Sequence, residues 1–273
     1  MRTKLILLIV SILSQGCAEG THSQPDPISM NKVAMAANDD MTCLPGRSSL
    51  ISLDGSAISM TGNVRTDGSV FLSETSVLSM SGNVHIGGQL ILVPGAQYTG
   101  SGSVSIAEST IAAETDARFT MLLLRNFMGN MVAHQSVGSV RSSSRWVSRG
   151  GVNTVDVAGN VELSGKNKII LSGAAEDKFL VRIYGDVKMS GQSAIELEGG
   201  LLAKNVVIEI LGEGKSFDVS GQTSIAGTLI SFGRPVRMSG SSSMMGAIIS
   251  DREVRLSGNI RFKNPGEYCV NLQ

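Results

Sequence analysis

Aromatic residues are scarce in this chain of 273 residues: seven Phe, three Tyr and one Trp. That excludes an interior filled mainly by rings. Three His and three Cys leave little for a metal centre or a nucleophile–base pair. The formal net charge is zero, so no overall field draws nucleic acid or an anionic membrane. Apart from a short run near the start there is no long apolar stretch, and that run is too short to span a bilayer. What is present is 42% apolar residues, 32 Gly and abundant Ser. This is enough to bury a core and excludes long disorder. The core must be thin, or built from stacked aliphatic layers.

The chain begins with an address. Arg2 and Lys4 precede an apolar run over residues 5–13, followed by Ser14, Gln15, Gly16 and Cys17. A charged start, a short apolar stretch and a small residue before a cut predict an export signal over 1–16. The Gly-Cys end resembles a bacterial lipoprotein signal, although Leu13 stands four residues before the Cys and Ser14 takes the usual Leu place. That resemblance implies Cys17 as the site of lipid attachment, with membrane contact through the anchor. Ala18 after it favours the outer membrane or cell surface of a Gram-negative bacterium. Acyl chains contribute about 0.8 kcal/mol per buried methylene. Residues 17–46 are polar and small, and read as a flexible tether. Cys43 and Cys269 lie near the two ends of the folded part. An exported compartment permits a disulfide between them; the alternative is two unpaired buried thiols. Neither has a second Cys or His at ligand spacing, so no metal is expected.

An internal period follows. Thr61-Gly62-Asn63-Val64 returns as Ser81-Gly82-Asn83-Val84 and as Ser101-Gly102-Ser103-Val104, twenty residues apart each time. The signature recurs at Ala158-Gly159-Asn160-Val161 and Ser257-Gly258-Asn259-Ile260. Two residues before the Gly the chain is apolar: Met60, Met80, Leu163, Met189, Val219, Met238 and Leu256, with Gly100 the exception. Beyond the Gly, period-two alternation predicts strands with one buried face. Gly supplies a tight corner. Short strands joined by Gly corners at about twenty residues predict an all-β fold, a β-solenoid of stacked coils. Met positions interchange with Leu and Val, so they are core filler rather than a copper or redox site.

Residues 112–135 break the repeat. Phe119, Leu123, Phe127 and Met131 are spaced by four, which predicts one long α-helix with an apolar face, packed on the outside of the solenoid. Residues 136–151, with Arg141, Arg145 and Arg149, read as a solvated connection. The expected order is coils over 47–111, helix and connection over 112–150, and coils again over 151–273, with 47–273 one domain.

Coils, one long helix, then coils again resembles the ice-binding-like family of exported β-solenoids. Residues 179–187 (FLVRIYGDV), Asn205-Val206, Gly227-Thr228-Leu229-Ile230 and Gly246-Ala247-Ile248-Ile249 are similar to that family's strand segments. A related bacterial surface domain with Ser-Gly-Asn repeats is similar too. The resemblance spans about 47–262 and implies a right-handed β-solenoid with the helix alongside. Ice binding calls for a flat, regular array of small hydroxyls. After residue 155 the chain has only Thr223 and Thr228, and its Ser residues sit mostly at Gly corners. Arg182, Lys188, Glu196, Glu209, Arg237, Arg255 and Arg261 are read as outward strand residues, a charged face suited to water or a polar partner.

A solenoid enzyme would need clustered carboxylates or a poised His or Arg. His22 lies in the tether, His85 points outward and His134 ends the helix. Asp54, Asp156, Asp186 and Asp218 are dispersed beside turns, and phosphate-loop, nucleophile-elbow and zinc motifs are absent. The expectation is a non-catalytic surface lipoprotein without a cofactor, acting in adhesion, envelope structure or contact with a surface polymer, glycan or protein. Ice binding and a carbohydrate-active enzyme are the alternatives.

Overall fold

The computed structural model describes residues 41–43, 48–111, 128–212, 216–264 and 269–271. The chain divides into two compact units. The smaller holds an antiparallel strand pair, Met41–Cys43 with Cys269–Asn271, in which Cys43 stands directly opposite Cys269. The larger covers residues 47–268 and is a β-solenoid of parallel ladders.

One ladder shows how the coils stack. Val161 pairs with Val187, Val187 with Phe217, Phe217 with Val236, and Val236 with Val254. The next partner of Val254 is Ile58, from the other end of the sequence; Ile58 then pairs with Leu78, and Leu78 with Tyr98. The solenoid's first described strands therefore lie in the middle of its own stack. Residues 48–111 climb from there to one end, and 135–263 climb from the other end back to the start. The join is chemically seamless, because Ser257-Gly258-Asn259-Ile260 lies in register on Thr61-Gly62-Asn63-Val64. Coils of twenty residues were expected. The step is 20 from Ile58 to Leu78, and 19 and 18 through Phe217, Val236 and Val254. It lengthens to 26 and 30 through Val161, Val187 and Phe217. The extra residues loop out at corners, one of them carrying the 3-10 helix Ala203–Asn205, and leave the ladders intact.

Each coil has three faces. The inner rows are aliphatic: Met60, Leu78, Val84, Val187, Ile208 and Met238 are at most 1% exposed. Phe217 and Phe262 join them, so the few rings serve the coils as well.

The face formed by Val152–Val157, Lys178–Ile183, Val206–Ile210 and their successors is buried on both sides. Its outward residues Arg182, Glu209, Ile230, Ile51 and Phe71 are at most 3% exposed. Arg182 grips Asp156 with two hydrogen bonds, 2.6 and 3.0 Å, and donates through Nη1 to the Met128 carbonyl at 3.0 Å. The bidentate geometry satisfies two charges that burial would otherwise penalise. This corrects the single charged face. Arg182 and Glu209 are buried here, Lys188, Arg237 and Arg255 lie on a second face, and Glu196 and Arg261 on the third.

The helix expected over 112–135 lies mostly outside the described residues. Its described end falls short: Met128 and Gly129 are helical, Asn130 turns, and Gln135–Val137 is already a strand. Among the described residues there is no long helix. Gly129-Asn130 is a helix-stop sequence, so Met131 is not on a helical face. His134 caps nothing; its Nδ1 accepts from the Thr154 N–H at 3.0 Å. The stretch read as a connection carries the strands Gln135–Val137 and Ser144–Val147, with Trp146 in the core at 3% exposure.

One corner is pinned by a residue the sequence did not single out. Arg234 is fully buried and donates to the carbonyls of Gly212 (2.6 Å), Gly185 (2.8 Å) and Tyr184 (2.9 Å). These acceptors belong to two other coils, so one guanidinium ties three together. Burial pushes its pKa down, and the nearby Asp186 charge opposes that. Removing the fork leaves three carbonyls short of a donor, each costing about 1–3 kcal/mol when buried. Arg234→Met should therefore lower stability by about 3 kcal/mol or more, read from the urea midpoint at unchanged slope.

Candidate functional site

The site is built by the corner glycines. Gly62, Gly82 and Gly102 have φ of 95, 93 and 85°, in the left-handed region. A Cβ placed on Gly82 would stand 2.7 Å from the Gly62 carbonyl oxygen, and one on Gly102 2.6 Å from that of Gly82. Glycine is required both by the dihedral and by the coil beneath. The column continues through Gly258, Gly240, Gly221, Gly191 and Gly165, each similarly close to the next.

A turn that recurs in register repeats its neighbours too. The residue before each glycine is a hydroxyl: Ser239 pairs with Ser257, Ser257 with Thr61, Thr61 with Ser81 and Ser81 with Ser101. Ser220, Ser190 and Ser164 hold the same place in the remaining coils, with the Ser220 N–H bonded to Met189 O and the Ser190 N–H to Leu163 O. This is a column of eight hydroxyls.

Two residues earlier, strand periodicity returns to the same face. There Ser59 pairs with Ser79 and Ser79 with Thr99. On the strands Ala57–Thr66, Val77–Leu92 and Gln97–Ile111, the two columns form a grid of six hydroxyls. Its spacing is about 4.8 Å between strands and about 6.7 Å along them. Ser59 is half-buried and the other five are exposed. Met60 and Met80, at 0 and 3% exposure, lie behind the first two rungs and hold the backbone against the core. Among the described residues none of the six side chains is engaged by another protein group, so the hydroxyls face water.

In the other coils the outer column is charged. It runs Glu162, Lys188, Asp218, Arg237 and Arg255, with ion pairs at Arg141–Glu162 (3.3 Å), Arg237–Asp218 (3.5 Å) and Arg255–Glu253 (2.6 Å). Beyond the glycines the third face begins with an amide column, where Asn63 Nδ2 donates to Asn259 Oδ1 at 3.3 Å. Next to it Arg261, Arg65 and His85 stand in register. His85 is thus beside the Arg65 guanidinium, which itself pairs with Asp67 at 3.7 Å.

Sequence reasoning placed the Ser residues at the Gly corners and missed the outer column of Ser59, Ser79 and Thr99. The signal was there: Ser-Met-(Thr/Ser)-Gly-Asn occurs at both 59–63 and 79–83. Asp54 takes a left-handed turn at φ 55°, Asp156 is spent on Arg182 and Asp218 on Arg237. Among the described residues no three His, Cys, Asp or Glu side chains gather as a metal site. Cys17 and His22 lie outside the described residues.

No family model matches the chain, and no curated protein matches it. Solved structures do. An ice-binding protein from an Antarctic biological consortium is similar with TM-score 0.50 and 16% identity, over 90% of this chain and 94% of that one. An ice-binding protein from an Antarctic bacterium of the Flavobacteriaceae gives 0.55 at 15% identity over 92% of this chain, which spans about half of that one (51%). The domain of Shewanella frigidimarina ice-binding protein 1 gives 0.55 at 13%, over 80% and 94%. At this identity the likeness is one of fold.

The glycine column can be checked directly. Gly82→Ala forces a left-handed Ala, costing about 1–2 kcal/mol, and drives its methyl into the Gly62 carbonyl. The expected loss in thermal or urea unfolding exceeds that of Gly129→Ala, where no neighbouring atom lies within 4 Å.

Proposed function

We propose that this chain binds ice through the hydroxyl grid of Ser59, Thr61, Ser79, Ser81, Thr99 and Ser101, without catalysis. The observation that carries the reading is the register: six small hydroxyls at fixed intervals, clear of other protein groups and held on three paired strands. Such an array orders water at regular spacing before contact, so little further entropy is lost when that layer joins a crystal. Small side chains keep the surface low. A charged column would orient water around each ion instead, and the charged column lies in other coils. The structural neighbours named as ice-binding proteins support this reading. Adhesion or polymer contact rested on one continuous charged face, and those residues are divided among three.

The test is thermal hysteresis and ice shaping by the purified protein. Ser81→Lys, in the middle rung, should cut the hysteresis several-fold with an unchanged melting temperature. Absence of hysteresis and of crystal shaping in the unaltered protein would sink the proposal.

The same reading takes the molecule as exported and lipid-anchored through Cys17 at the outer membrane, its solenoid right-handed as parallel crossovers nearly always are. Cys43 and Cys269 are proposed to form a disulfide, on the strength of their facing positions across an antiparallel pair. Intact-mass measurement of the membrane-extracted protein reads both cysteine assignments. It should show acyl mass that Cys17→Ala removes. The Cys43 and Cys269 thiols should resist alkylation until reductant is added; alkylation without reductant refutes the disulfide.

A further inference from the structure

The third face departs from the charge pattern of the rest of the surface. On the second face carboxylates and cations alternate from Glu162 to Arg237. In the early coils of the third face the cations are answered directly, Lys168 by Glu196 at 2.8 Å and Arg145 by Glu198 at 2.6 Å. Around the seam that rule lapses. Arg261 lies on Arg65, and Arg65 on His85, at the strand spacing of about 4.8 Å. Arg65 has only Asp67, at 3.7 Å, with both side chains about half exposed. Arg261 and Lys263 are exposed, and among the described residues neither forms an ion pair. Two residues before the cations, and so about 6.7 Å away along the strands, runs the exposed column Asn259, Asn63 and Asn83. Ser243 and Ser105 flank the cation column on its two sides. Stacked guanidinium groups with a single carboxylate at hand repel each other. In the other columns the protein supplies the countercharge itself. Here it comes from outside.

We infer that this strip binds an acidic polysaccharide, laid along the stacking direction with its acid groups on Arg261 and Arg65 and its hydroxyls on the asparagine amides. A guanidinium takes a carboxylate or sulfate through paired N–H donors, which a point charge cannot do. Amides and serine hydroxyls both donate and accept, as the neutral hydroxyls of a sugar require. The repeat of the coils sets charged and neutral groups in parallel rows, matching a chain that carries both along its length. A nucleic acid strand also brings negative charge, but its bases call for aromatic side chains to stack on. The rings of this face, Phe262 and Trp146, are buried in the core. The strip lies around the glycine corner from the hydroxyl grid, on a different face, and does not rest on ice binding.

Isothermal titration calorimetry of the full exported chain with polygalacturonate tests this. Binding is expected, weakening as salt is added, and neutral dextran should not bind. Arg65→Ser combined with Arg261→Ser gives the column the residue it already has at 243 and 105, so the strands should hold while affinity falls about tenfold. Arg237→Ser combined with Arg255→Ser removes the same charge from the second face. It should change affinity less than about twofold, because charges around the corner act on the strip only through screening solvent. Both double variants should keep the circular dichroism melting curve of the unaltered chain. No binding of polygalacturonate, equal binding of dextran, or equal losses in the two double variants would overturn the inference. So would tighter binding of anionic phosphatidylglycerol vesicles or of a single-stranded oligonucleotide, which would give the strip to another partner. Ice activity does not enter the measurement.

Discussion

Coil lies on coil at the strand-pairing distance, and at the glycine corner that distance leaves no room for a methyl group. Everything else in the solenoid depends on this contact. A glycine at positive φ lets the chain turn sharply while its peptide nearly touches the one below, so eight coils can keep one register across their second and third faces. Coil lengths then become free. Twenty residues or thirty can pass between corners, as between Val187 and Phe217, provided the glycine returns to its column. With the corner fixed, the apolar residue two places before it always points inward. A Met, Leu or Val there suffices, and large aromatic rings are not required.

The same constraint explains what the surface displays. Stacking in register repeats any outward residue type at the strand spacing. A column of like charges would repel itself, and the charged column alternates from Glu162 to Lys188 to Asp218 to Arg237 before two arginines meet. A hydroxyl column carries no such penalty and can be uniform. A regular array of one chemical kind thus costs Ser and Thr nothing, whereas stacked like charges such as Arg237 on Arg255 and Arg261 on Arg65 repel. The proposed ice-binding grid occupies the coils where both outward columns are hydroxyl, and it ends at Arg255, where one of them becomes charged.

Much of this was legible in the sequence because the repeat is local: Ser-Gly-Asn-Val at twenty residues carries the corner, the strands and the inward row. What could not be read depends on distant parts of the chain. Nothing local says that Ile58 pairs with Val254, since any two coils bear the same signature. Nothing local says that Arg182 and Glu209, which look like surface charges, lie on a face buried from outside. Arg234 is one arginine among many until three carbonyls from other coils converge on it. Ser59 and Ser79 were visible as letters, but their value as a site appears once Thr99 completes the rungs and the charged columns are seen to lie elsewhere. The helix was read from a spacing of four. That spacing extends past Gly129-Asn130 to Met131, and the stop signal prevails over the periodicity.

The position of the solenoid's first and last described strands, side by side within the stack, has a consequence for folding. The coil Val254–Lys263 is the last made and must find Ala57–Thr66, with Asn259 and Asn63 separated by 196 residues. Contacts so distant in sequence slow folding, because the loop entropy is lost before the pairing stabilises anything. Until that seam closes, both strands are open parallel edges of ten residues carrying the same Ser-Gly-Asn register as every other coil. A misplaced coil would therefore find acceptable partners. The longer coils at 161–217 and the buried Arg234 fork break this degeneracy: they give one part of the stack a shape and a polar requirement that the twenty-residue coils cannot meet. In a fold made of near-identical units, the irregular residues set the order, and the regular ones supply the strength.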